Sequence, residues 1–160
     1  MVALVGIGVT FALSIATSKP VKNSFEAAEH STTIEEKVED LTKTVTVKNE
    51  KKSPAYIRVR FEVSPEDAVS SDKYTISYSG NEWVYGDDGF YYYTKPVAGY
   101  GETTSIVWKV TDDSEITVDT FDVLVYEESC VATSTSTSVT VDQMKTAFAN
   151  ADGAIETNQG

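Results

Sequence analysis

The chain has 160 residues, 41% of them hydrophobic, which is room and apolar material for one domain with a tail at each end and too apolar for a disordered protein. A formal net charge of −12 repels phosphate backbones and argues against nucleic acid as a partner. Such acidity serves solubility first, with weak binding of calcium or another divalent cation as a second meaning.

Residues Met1–Ala16, MVALVGIGVTFALSIA, carry no charge. The run is shorter than the roughly 20 apolar residues that span a bilayer. Its length, with the small residues Ser14 and Ala16 before Thr17, suits the apolar region of a signal peptide. No Lys or Arg precedes it, so removal after export and retention in the working protein both stand. Either way the expectation is export, with membrane contact only during that step.

Residues 17–40 read as a polar, acidic extension with isolated apolar positions at Val21, Phe25, Ile34 and Val38. From Leu41 a period of two sets in. Leu41–Lys48 places Val45 and Val47 on one face and Thr44, Thr46 and Lys48 on the other. Ala55–Val63, AYIRVRFEV, is the strongest strand, with Ile57, Val59, Phe61 and Val63 inward and Arg58, Arg60 and Glu62 outward. The turn-rich NEKKSP between these strands predicts an antiparallel hairpin.

Further strands are predicted at 74–78, 82–85, 90–94, 103–110 and 115–126, separated by Gly-, Asp- and Pro-rich turns. Residues 133–140 are a Ser/Thr run, read as a flexible or glycosylated linker or else an exposed edge strand. Thr140 then opens a helix with Val141, Met144, Ala147 and Phe148 on one face and Gly153 as its stop. Short strands at this spacing predict an all-β, antiparallel sandwich. Its boundaries are expected as an export segment 1–16, an N-terminal extension 17–40, the sandwich 41–132, and a linker with terminal helix 133–160.

The order of these features resembles the TasA/camelysin family of exported, fibre-forming surface proteins, related to archaeal bundling pilins. Lys22-Asn23-Ser24-Phe25 after the apolar leader is similar to the family's Asn-Thr-Phe. Val45–Asn49 leading into Ala55-Tyr56-Ile57-Arg58-Val59 is similar to its valine-rich strand, Asn and Ala-Tyr-hydrophobic-Arg-Val. Trp83, then Gly89-Phe90-Tyr91-Tyr92-Tyr93 and Gly101-Glu102-Thr103-Thr104, follow its Trp, Gly-Tyr-Tyr-Tyr and Gly-x-Thr order. Strand Phe121–Tyr126 and helix Val141–Phe148 match its last strand and short acidic helix. The resemblance implies a jelly-roll-like sandwich that is exported to the cell surface and polymerises with copies of itself. There the N-terminal segment of one subunit, with Val21, Phe25, Ile34 and Val38 as candidate plugs, completes a sheet of the next.

Chemical sites are sparse. Camelysin-like members raise the question of a metalloprotease, but a helical zinc protease needs His-Glu-x-x-His, and His30 is the sole histidine. No cofactor and no catalytic residue is expected. Asp87-Asp88 and Asp112-Asp113 lack the ligand series of a calcium loop and read as turn residues. Cys130, the single cysteine, cannot form an internal disulfide and suits a buried small apolar position, an intermolecular disulfide or a reactive thiol. The aromatic residues Trp83, Tyr85, Tyr91, Tyr93 and Tyr100 are candidates for a surface. Cross-strand packing, a subunit contact and a sugar platform all remain open for them. A monomeric binding module using that face is the alternative function.

Overall fold

The computed structural model describes residues 32–39, 41–111, 116, 121–134, 136 and 138–156. Eight strands and one helix follow in order: β1 (Thr32–Glu39), β2 (Thr42–Asn49), β3 (Ala55–Ser64), β4 (Tyr74–Tyr78), β5 (Trp83–Tyr85), β6 (Tyr91–Val97), β7 (Ile106–Val110), β8 (Asp122–Val131) and α1 (Val141–Glu156). They build two antiparallel four-stranded sheets, ordered β1-β2-β7-β4 and β5-β6-β3-β8. The expected all-β sandwich with a short C-terminal helix is what forms.

Period-two patterning explains the layering. Val45 and Val47 from β2 meet Ile57 and Val59 from β3, and all four are 0% exposed. Burying each such side chain is worth about 1.5–3 kcal/mol, which is why these four specify the face-to-face contact. That contact also overturns the expected hairpin. β2 and β3 lie in opposite sheets, so NEKKSP crosses between the layers.

Asn49 secures the crossing. Its Nδ2 donates to the carbonyls of Ser53 (2.8 Å), Val97 (3.2 Å) and Ala98 (3.2 Å), and its Oδ1 accepts from Lys51 N (3.0 Å). Gly99 packs so close to this loop that a Cβ there would fall 2.1 Å from the Lys52 carbonyl oxygen.

The boundaries shift in four places. The sandwich begins at Thr32 rather than Leu41, because Ile34 and Val38 lie on an inward face of β1 that pairs with β2 along its whole length. The predicted 103–110 strand is confined to Ile106–Val110, and the last strand is displaced to Asp122–Val131, where all ten residues pair with β3. The Ser/Thr run is anchored instead of free: Ser134 N donates to Tyr56 Oη (3.1 Å) and the buried Val139 donates its N–H to Thr94 O (2.8 Å). α1 continues through Gly153 to Glu156. One glycine costs a helix about 1 kcal/mol, too little to end it without other signals.

The start of α1 follows expectation. Thr140 N donates to Gln143 Oε1 (3.0 Å) while Gln143 N donates to Thr140 Oγ1 (3.3 Å), a capping box. Met144, Phe148 and Ala151 are buried, with Val141 and Ala147 partly so. They cover the outer face of the β5-β6-β3-β8 sheet over Tyr56, Phe90, Tyr92 and Cys130.

Candidate functional site

Each flank of the sandwich brings two edge strands together. On one flank are β1 and β8, and on the other β4 and β5.

The β1/β8 flank is closed by polar groups that point inward. Thr32 Oγ1 donates to Glu127 Oε1 (2.7 Å) and lies 2.9 Å from Ser129 Oγ. Further along, Glu36 Oε2 accepts from Lys43 Nζ at 3.1 Å, and the same ammonium donates to the carbonyl of Val123 on β8. Lys43 is 1% exposed. Burial raises the Glu36 carboxyl above its ordinary range against the pull of Lys43, and Glu36 Oε1 has no hydrogen-bond partner among the described residues. Burial likewise pushes Glu127 up to about 7, opposed by the hydroxyls of Thr32 and Ser129 and reinforced by the charge of Glu128. Two carboxyls and one ammonium thus bridge the two sheets where an apolar seam would be expected.

None of these polar residues was singled out in the sequence, yet parity marks them. Lys43 is in phase with Val45 and Val47, Glu36 with Ile34 and Val38, and Glu127 with Val123 and Val125.

β8 is the longest open edge. It pairs with β3 on one side, and no strand among the described residues pairs with the other. β1 is shorter at eight residues and carries four charges in TTIEEKVE, while β4 has five residues and β5 three. β1, the first described strand, pairs with β2 along its whole length and not with β8.

The β4/β5 flank holds the aromatic cluster, and it corrects part of the surface expectation. Trp83 is 1% exposed and Tyr93 6%, so both belong to the core. The reason is that both lie on the face turned toward the opposite sheet, in one cluster with Val45, Val59 and Ile106. Trp83 Nε1 finds Thr104 O at 2.9 Å, and its ring meets Tyr93 edge-on at 5.0 Å. Tyr91 is half-buried between Tyr85 (4.9 Å) and Tyr78 (6.3 Å), and burial together with these neighbours pushes its hydroxyl up to about 12. Tyr85 and Tyr100 are exposed, but they occupy different loci and form no joint platform with Trp83 and Tyr93.

Beneath α1, Arg58 is clamped between the rings of Phe90 (4.2 Å) and Phe148 (4.3 Å). Its Nε donates to Glu128 Oε2 (2.7 Å) and its Nη1 to Tyr92 Oη (3.0 Å). The outward Arg of the β3 pattern is therefore a structural residue under the helix. Tyr92 Oη in turn donates to Asp88 Oδ2 (2.6 Å), and Phe90 N donates to Asp88 Oδ1 (3.3 Å). Burial works against ionisation of Asp88, yet these bonds hold its carboxyl below the ordinary range. Asp88 is thus engaged in the turn, and Asp87 is exposed.

Among the described residues no group of three or more His, Cys, Asp or Glu could hold a metal ion, and no helix is long and apolar enough to cross a membrane. Cys130 is buried under α1. His30, Val21, Phe25, Asp112-Asp113 and the apolar run 1–16 lie outside the described residues, whereas Ile34 and Val38 are on β1. Comparisons with protein-family models, with curated proteins and with solved structures found no match.

Proposed function

We propose that this chain is an exported surface protein of the TasA/camelysin type, a structural subunit that joins copies of itself into an extracellular fibre. In this reading the segment before β1 adds to a sheet of a neighbouring subunit, and the outer edge of β8 receives it. The observation that supports it most is that edge: ten residues of strand with an unpaired side among the described residues. An open edge is a standing invitation to pairing, and proteins that avoid assembly shorten it or load it with charge. β1, β4 and β5 follow that practice, whereas β8 is the longest and its ten residues carry three acids, Asp122, Glu127 and Glu128.

The apolar residues Val21 and Phe25, together with the 1–16 run, have their natural use in the same contact. Deleting residues 1–30 should leave a folded, soluble monomer that forms no fibres under the electron microscope. Fibres from that truncation indistinguishable from those of the full chain would end the donor-strand reading. They would point instead to contacts through Tyr78, Tyr85 and Tyr91.

A further inference from the structure

The inward face of β3 is covered unevenly. Ile57 and Val59 are completely buried, but Phe61 and Val63, in the same phase, are only partly so. They form, with Tyr74, the floor of a groove of about 610 Å³ at the end of the sandwich, and Glu62, Glu66 and Asp67 stand at its rim. Glu66 and Asp67 are exposed, and Glu62 is paired with Arg60 at 2.9 Å. Residues 61–74 contain four acids against the single cation Lys73. The groove is thus apolar below and negative above, in the volume range of pockets that take small ligands or a few residues of peptide.

One stretch of this chain has the complementary make-up. Lys19-Pro20-Val21-Lys22-Asn23-Ser24-Phe25 has two lysines, two separated apolar side chains and no carboxylate, and those lysines are the only Lys or Arg in residues 1–31. We infer that the acidic groove beside β3 seats residues 19–25 of a neighbouring copy, with Val21 or Phe25 on the Phe61–Tyr74 floor and Lys19 and Lys22 at the Glu66–Asp67 rim. This rests on the donor reading above and adds to the β8 edge a second, charge-selective anchor.

The donor reading assigns this segment to a neighbour rather than to its own subunit. Thr32 lies beside Glu127 and Ser129, whereas Phe61 and Val63 pair with Val125 and Val123. The distance between the two along β8 is roughly 7–20 Å. The seven steps from Thr32 back to Phe25 span at most about 25 Å, so reach alone does not choose between the two copies, and the mixed-isotope experiment does.

The test uses the full-length chain. A photo-crosslinking residue replaces Ser71 at the groove, and ¹⁴N and ¹⁵N populations are mixed before assembly. Crosslinks of mixed isotope from position 71 to residues 17–31 are expected. Glu66→Lys with Asp67→Lys should lower their yield about tenfold, as two rim attractions become repulsions. Lys19→Glu with Lys22→Glu on the incoming copy should restore it, and about 0.5 M NaCl should weaken the parent contact. Crosslinks of single isotope only, or to any other segment, overturn the inference. So does a charge swap without rescue. Fibres that still require residues 1–30 but give no crosslink from position 71 would refute the groove alone. Fibres indifferent to residues 1–30 would refute the donor reading itself.

Discussion

At the scale of single residues, two buried polar side chains carry consequences out of proportion to their number. Asn49 is 0% exposed and answers three carbonyls and one N–H where β2 crosses into β3. Asn49→Ala should cost about 2–4 kcal/mol, since each abandoned buried partner costs about 1–3 kcal/mol and some regain water. A lowered denaturant midpoint with an unchanged slope would verify this, and a loss below about 0.5 kcal/mol would show that the loop holds without it. Glu127 acts through pH. Its carboxyl is raised to about 7 from an ordinary 4.5, so the folded state binds the proton more tightly than the unfolded chain. Stability from this group is fully present below about pH 4.5, declines as pH rises toward 7, and is gone above it. The whole effect is at most about 3 kcal/mol. Glu127→Gln should therefore leave acid stability nearly unchanged and make the protein more stable than the parent at pH 8. The difference between the two unfolding curves across pH 4–8 measures it, and a flat difference would place the carboxyl in contact with water.

At the scale of elements, α1 is the piece whose role was least obvious. It covers one sheet only, through Met144, Phe148 and Ala151, and contributes Phe148 to the clamp on Arg58. Phe148→Ala should cost about 3–5 kcal/mol from lost burial and the cavity left behind. Because α1 has no contact partner in the β1-β2-β7-β4 sheet among the principal element contacts, the loss should be local. Hydrogen exchange should show deprotected amides over 141–151 while β2 and β7 keep their protection. Equal deprotection of β2 and β7 would make the helix part of the global cooperative unit.

At the scale of the whole molecule, five of the seven connections between successive strands pass from one sheet to the other, and two are hairpins. Both sheets therefore depend on contacts distant in sequence, as in other sandwiches. This threading also decides where the open edges fall. The β1–β2 hairpin draws β1 away from β8, so among the described residues one flank keeps a long edge with no strand on it while the opposite flank ends in two short strands with tyrosines between them. The proposed requirement for residues 1–30 in fibre formation belongs to this scale, since it is argued from the edge that the topology exposes and not from any one side chain.

Alternation along the chain is a local property, so the sequence alone determined the strands whose apolar face is unbroken, such as β2 and β3, while the charged β1 and the acidic end of β8 escaped it. Ile57 and Val59 are buried as their parity demands, and Val141, Met144, Ala147 and Phe148 share one helix face. Pairing is not local. Whether Val45-Thr46-Val47 lies beside Ile57-Arg58-Val59 or across from it depends on the total apolar area that each arrangement buries, and only the folded chain decides between them. The same holds for Trp83 and Tyr93, aromatic residues that fit a surface as well as a core until the opposite sheet is in place. Lys43, Glu36 and Glu127 show the limit most clearly. Their parity points them inward, but a charged side chain is tolerated there only if a partner arrives from another strand. Those partners, Val123 and Thr32, are set by tertiary structure across 80 and 95 residues of chain.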